Sequence, residues 1–322
     1  MSLLQETKDL CNLYHIKPTR SRGQNFLINE KIYDKIIEAA DLRKTDKVLE
    51  VGPGLGFLTF ALAAQVKEVV AVELDRGLAE VLRTRLPMQG IKNVQVIQDN
   101  ILDFAGFLSR HSREGGNPGS SKKFQQTTVG EGIKILGEKK TWMPASAGMT
   151  EGKYKIVANL PYNITSIFLR KFLEGNFKPA SFTLMLQKEV AERITARAGD
   201  MSLLALSVQF FAQAKIVAPV SKRDFWPAPE VDSAIIHLQV TNDNKKIDQK
   251  LFFRLARIGF SAKRKMLKNN LANGLKISAT ETQNMLVKAG LNPLTRAEDL
   301  GLDDWLKLLG LVKQRDDFKT VL

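Results

Sequence analysis

The apolar run Ile156-Val157-Ala158 has the composition of a buried strand, and it leads straight into Asn159-Leu160-Pro161-Tyr162. A tight turn uses Asn or Pro for backbone reasons and has no need of an aromatic ring beside them. The four residues do suit a planar base that carries an exocyclic amine. Such an amine is a weak nucleophile because its lone pair is delocalised into the ring. If the Asn159 side-chain oxygen and the Leu160 carbonyl accept its two hydrogens, the nitrogen becomes more pyramidal and its lone pair available. Pro161 would hold that carbonyl in place, and Tyr162 would offer a face for the base to stack on. No strongly basic side chain is required, since a nitrogen that has just been methylated is acidic and its proton can pass to water. Taken alone, the segment reads by default as a turn with a core aromatic, so the chemistry depends on a second site upstream.

The run "VLEVGPGLGFLT" supplies one, with Gly52, Gly54 and Gly56 at a strand-to-helix turn. Glycines there allow a tight turn and the close approach of a ligand. The dinucleotide fingerprint G-x-G-x-x-G is not met, because Phe57 stands where its last glycine would fall. Pro53 also removes a backbone donor that a pyrophosphate could use. A nucleoside ligand without phosphates suits this turn better. Glu73, at the end of "VELD", lies about twenty residues on, where a carboxylate accepts from both ribose hydroxyls. Asp99, in "VIQDN", ends the next strand and is placed to accept from an adenine amine. Three candidates from successive strand ends describe a pocket for an adenosine-bearing cofactor. With that pocket in place, amine methylation is the favoured reading of Asn159-Leu160-Pro161-Tyr162.

The elements that position these residues are legible from periodicity. A loop-like basic lead-in is followed by helical spacing of Ile32, Ile36, Ile37 and Ala40. Strand and helix then alternate: "KVLEVG", "FLTFALAAQ", "EVVAVEL", "RGLAEVLRTRL" and "VQVIQ". This order implies parallel strands with crossover helices. "KIVANL" and "SFTLML" continue the strands, "KEVAERITAR" and "LLALSVQFFA" read as helices, and "SAIIHLQV" reads as a late strand closing the sheet. Residues 106–153 break the pattern with a Gly-, Ser- and Lys-rich stretch far longer than the roughly 15 residues usual for a structureless loop. It reads as a disordered insert and resembles translated palindromic repeats that enter some bacterial genes in frame. The expected division is a catalytic domain over 1–244 and a helical domain over 245–322.

The chain of 322 residues carries 48 Lys and Arg against 34 Asp and Glu, a formal charge of +14, which favours a polyanionic partner. Residues 245–322 hold 16 basic and 8 acidic residues, more than half of that excess. Within them Arg254, Arg257, Lys263, Arg264, Lys265 and Lys268 fall in fifteen residues without an acid. Such a run reads as a solvated helix face or, given its concentration of one sign, as a phosphate-binding surface. No apolar run reaches membrane-spanning length, and no secretory leader is legible. Cys11 is the only cysteine, and three scattered histidines lack ligand spacing. A cytoplasmic protein without a metal site is expected.

"GQNFL" at 23–27, "VGPGLG", "VELD", "QDN", "NLPYNI", "LMLQKEVAERI", "FWPAPEVDSAI" and "KRKMLKNNL" together resemble the small-subunit ribosomal RNA adenine dimethyltransferase family, over nearly the whole chain except the insert. The resemblance implies a seven-stranded, Rossmann-like methyltransferase sheet followed by a small helical domain. It implies transfer from S-adenosylmethionine to N6 of two adjacent adenosines near the 3′ end of small-subunit rRNA, within a pre-ribosomal particle and by a monomer. It further implies that Asn25 and Leu27 help close the cofactor site, Gly52 and Gly54 line its methionine part, Glu73 binds ribose and Asp99 adenine. Asn159, Leu160 and Tyr162 would hold the target base, Asn159 also bordering the cofactor, and Phe225 would stack on the base's other side or sit in the core. Two rival readings share the core motifs: a large-subunit rRNA adenine methyltransferase of the antibiotic-resistance type, and a non-catalytic binding protein for ribosome assembly or transcription.

Overall fold

The computed structural model describes residues 1–19, 24–103, 154–175, 177–241, 243–244 and 246–314. The sequence-predicted insert lies outside them. Seven strands form the main sheet: β2 (Lys47–Val51), β3 (Glu68–Glu73), β4 (Val94–Gln98), β5 (Lys155–Asn159), β6 (Ser181–Gln187), β7 (Ala212–Val220) and β9 (Ser233–Val240). Their spatial order is β4-β3-β2-β5-β6-β9-β7. The pairs β2–β3, β3–β4, β2–β5 and β5–β6 are parallel, while β9 runs antiparallel to both β6 and β7. The apolar runs predicted as buried strands are buried: Val48, Leu49, Val69, Val70, Ile156 and Val157 are fully inaccessible. Helices on both faces require this of a parallel sheet.

The topology has a physical consequence for ligand binding. Strand order reverses at β2, whose neighbours β3 and β5 lead away in opposite directions along the sequence. A crevice opens outside the carboxyl ends of strands at such a point. Glu73 and Asn159 end β3 and β5, and the glycine turn follows β2.

Three elements differ from the sequence reading. Residues 3–13, predicted as a loop-like lead-in, form a helix (Leu3–Leu13) in which the Ser2 hydroxyl accepts from the Gln5 backbone N–H at 3.3 Å. β7 is a full edge strand, so β9 lies inside the sheet and does not close it. A second ladder pairs β1 (Phe26–Leu27) with β8 (Phe225–Trp226), bringing residues about two hundred positions apart into antiparallel register.

Strand gives way to helix between Val240 and Gln249, near the expected boundary. Four helices follow: Gln249–Gly259, Leu267–Leu275, Ala279–Lys288 and Leu302–Lys313. The hydrophobic core does not divide there, because one cluster runs from Leu184 and Phe210 into Phe252, Leu271 and Trp305. Phe210 and Phe252 meet with ring centroids 4.4 Å apart. The backbone N–H groups of Gly199 and Met201 both donate to the Glu298 carbonyl at 3.0 Å.

Candidate active site

The glycine turn is built by backbone geometry. Gly52, Gly54 and Gly56 all have positive φ, at 65°, 58° and 92°. A Cβ on Gly54 would come within 3.2 Å of the Phe26 ring, and one on Gly56 within 2.5 Å of Leu82. Both positions therefore need glycine for conformation and for space. The Gly52 N–H donates to the Val72 carbonyl at 2.9 Å, fastening the turn to β3. The buried Arg85 guanidinium fastens the turn's other end, donating to the Leu55 carbonyl and to Glu6 Oε1 at 3.2 Å. It also lies 4.8 Å from the Phe60 ring centroid and 5.2 Å from that of Phe57.

Glu73 faces this turn and is only 6% exposed. Its Oε2 accepts from the Gly54 N–H at 3.1 Å and its Oε1 from the Asp75 N–H at 2.9 Å. Each oxygen keeps a further acceptor site, which suits a pair of vicinal hydroxyls. Burial raises its pKa above the usual carboxylate range, while these backbone donors oppose that rise. Asp75, the other acid of "VELD", instead caps the helix Arg76–Met88, accepting from Gly77 and Leu78.

One cavity is lined by Asn25, Leu27, Gly52, Gly54, Glu73, Asn159 and Pro161, so the structure brings together seven of the sequence-predicted residues. The Asn159 amide donates to the Asn25 carbonyl at 3.4 Å, which leaves its side-chain oxygen as an acceptor. Leu160 is buried and its N–H donates to the Met185 carbonyl at 3.0 Å, anchoring the loop to β6. Tyr162 stands outside the cavity lining, with its hydroxyl 2.7 Å from Ser233 Oγ at the start of β9. Asp99 is exposed and does not line the cavity; its N–H donates to the Glu73 carbonyl at 2.9 Å. Phe225 is 3% exposed and packs with Leu27, Met185 and Val220, so in this conformation it has no open face for a base.

The basic run is not one helix face. Arg254 and Arg257 lie on the helix Gln249–Gly259, Lys263, Arg264 and Lys265 on the connecting turn, and Lys268 on the next helix. The three turn residues are exposed, and Lys263 Nζ lies 3.9 Å from Glu298.

The profile of the family described as ribosomal RNA adenine dimethylase matches residues 16–314. The chain belongs to that family. It is 40% identical over 309 residues to the ribosomal RNA small subunit methyltransferase A of Dehalococcoides mccartyi strain CBDB1, covering 95% of this chain and 92% of the relative. Among solved structures, a dimethyladenosine transferase from Plasmodium falciparum superposes with a TM-score of 0.65 at 25% identity, over 89% of this chain and 96% of that one. The 23S rRNA methyltransferase ErmE shares the fold, with a TM-score of 0.63 at 24% identity over 89% and 98% of the two chains. The fold is thus that of the S-adenosylmethionine-dependent rRNA methyltransferases.

The cavity's donor set fits the nucleoside cofactor of such enzymes: a glycine cradle, a satisfied carboxylate with spare acceptor sites and, among the described residues, no Lys, Arg or His in its lining. The sequence reading missed Glu50, Gln24 and Phe26, which also line it. Glu50 was visible as an acid inside the apolar run "KVLEVG", where a strand buried on both faces has no structural use for one.

Proposed function

We propose that this protein uses S-adenosylmethionine to dimethylate N6 of two adjacent adenosines near the 3′ end of small-subunit rRNA, acting on a pre-ribosomal particle. The observation that carries this reading is the position of Asn159, at the end of β5 and on the wall of the same cavity as Glu73 and Gly54. An amine held there lies beside the nucleoside pocket. Glu73 would hold the cofactor's ribose, Gly52 and Gly54 would lie along its methionine part, and Asp99, bonded through its N–H to the Glu73 carbonyl, would meet its adenine. S-adenosylmethionine, when bound, supplies a methyl group made electrophilic by a sulfonium.

The remaining work falls to the protein. The Asn159 side-chain oxygen and the Leu160 carbonyl accept the two amine hydrogens and so expose the nitrogen lone pair. The Leu160 carbonyl is positioned by the bond from its own N–H to Met185 and by the following Pro161. Tyr162, held at Ser233, stacks on the base, and the proton of the alkylated nitrogen leaves to water. Arg264, Lys265 and their basic neighbours contact phosphates away from the reacting base. The 40% identity to a small-subunit enzyme supports that substrate over the large-subunit alternative.

The test is mass spectrometry of small-subunit rRNA from particles incubated with the protein and S-adenosylmethionine. Two adjacent dimethyladenosines near the 3′ end are expected, and none with Asn159→Ala. Modification of large-subunit rRNA alone would replace this assignment.

A further inference from the structure

Among the described residues, the cofactor cavity is lined by two carboxyl groups, Glu73 and Glu50, and by no cationic side chain. Glu73 is satisfied by backbone donors, whereas Glu50 is not. Glu50 is 1% exposed, on β2 two residues before Gly52, and neither of its oxygens has a hydrogen-bond partner. Among the described residues four buried side-chain polar atoms lack a partner, and three of them are Glu50 Oε1, Glu50 Oε2 and Thr59 Oγ1. Buried polar groups without partners are rare and costly, so a cluster of them on a ligand cavity points to a group that the ligand supplies.

We propose that Glu50 is a proton-switched counter-charge for the cofactor: it is a neutral acid in the cofactor-free protein and ionises when the cationic methionyl end enters, so that binding expels a proton. The inference rests on the reading of this cavity as the S-adenosylmethionine site. The surroundings favour the neutral acid before binding. Burial, and then the Glu73 charge on β3, push the Glu50 pKa up to about 8, against the pull of the Thr59 hydroxyl on the helix Phe57–Ala63, which stands near enough to favour the carboxylate without completing a hydrogen bond to it. Tyr33, on the helix Glu30–Ala40, feels the Glu50 charge, but it donates its hydroxyl proton to the Leu27 carbonyl at 3.0 Å and supplies no cation. A cationic ligand reverses the balance, because an opposite charge at close range favours the carboxylate. Where Glu50 is protonated before binding, the proton then leaves.

Calorimetry of the full chain at pH 7, in phosphate and in Tris, reads the proton count from the dependence of apparent enthalpy on buffer. An α-amino group keeps its proton at that pH. Wild type should release about one proton on binding S-adenosylmethionine and none on binding 5′-methylthioadenosine, which has neither ammonium nor sulfonium. S-adenosylhomocysteine decides which cation is met: release as with the methyl donor assigns the ammonium, and no release assigns the sulfonium. Glu50→Gln should bind the methyl donor about tenfold more weakly and without release. Equal enthalpies in the two buffers for wild type, release with methylthioadenosine, or undiminished release from the variant would each overturn the proposal. The wild-type arms stand whether or not the variant folds. If wild type binds no S-adenosylmethionine at all, the reading of the site fails as well.

Discussion

At the scale of single residues, the two carboxylates of the cavity have different surroundings and should respond differently to mutation. Glu73 accepts two backbone hydrogen bonds, and its remaining acceptor sites face the cavity. Removing one charged hydrogen-bond partner costs roughly 1.5 to 3 kcal/mol, so Glu73→Ala should weaken S-adenosylmethionine binding about tenfold or more, as calorimetry would read. Glu50, with its pKa raised to about 8, should instead be visible in the stability of the cofactor-free protein. Its folded-state pKa lies above that of the unfolded chain, so the folded state holds the extra proton between about pH 4.5 and 8. Its contribution to stability is complete below that window and is lost as pH rises through it. His237, pushed below its ordinary range mainly by burial, acts in the opposite sense, and the comparison must therefore be with a variant. Melting temperatures followed from pH 5 to 8 should fall less steeply for Glu50→Gln than for wild type. Parallel curves would contradict a buried neutral acid.

At the scale of elements, the loop after β5 is tied to two neighbouring strands, β6 and β9. Leu160 is bonded to β6, while Tyr162 is tied to Ser233, which pairs with Gln187 of β6 and Val220 of β7. Tyr162→Phe keeps the ring and removes the tie; Ser233→Ala removes it from the other end. A net hydrogen bond is worth about 0.5 to 1.5 kcal/mol, so each variant should raise KM for RNA severalfold with little change in kcat, and the double variant should do no more than either single one. Additive losses would show that the bond does not position the ring. Ser233 could not have been found from sequence, because its partner lies 71 residues away and nothing local marks the pair. The parallel strands were legible, being short apolar runs bounded by glycine and polar residues. β7 was not: it is an edge strand carrying Lys215 and Pro219, it bulges between Ile216 and Ala218, and its outward positions are exposed. Pro is tolerated at such an edge, and the alternation that marks a half-buried strand is lost there. The helix Leu3–Leu13 did carry a signal, Ser2 followed three residues later by Gln5, but it buries only Thr7 and Cys11. What joins it to the site, the buried Arg85 between Glu6 and Leu55, is long-range.

At the scale of the whole molecule, chemistry and docking are assigned to different parts of one continuous core. Asn159 lies at the switch point of the sheet, and Arg264 and Lys265 lie on an exposed turn between helices of the carboxyl-terminal bundle. The bundle is packed on the rest of the core through Phe210, Phe211, Phe252 and Phe253, and none of the residues of the basic turn lines the cavity. Asn159→Ala takes away the acceptor for one base amine and touches no phosphate, and should abolish methyl transfer while leaving RNA affinity nearly unchanged. Charge reversal of Arg264 and Lys265 should do the opposite. With fewer phosphates neutralised, affinity for pre-ribosomal RNA should fall, and its dependence on salt should flatten by about one unit of slope for each phosphate left without its cation. S-adenosylmethionine binding should be untouched in that variant, because neither residue lines the cavity. Filter binding across a salt series, run beside calorimetry of the cofactor, separates the two roles. An Asn159 variant that still dimethylates adenosine would remove the loop from the chemistry, and an unchanged salt slope in the charge-reversed protein would remove the basic turn from RNA docking.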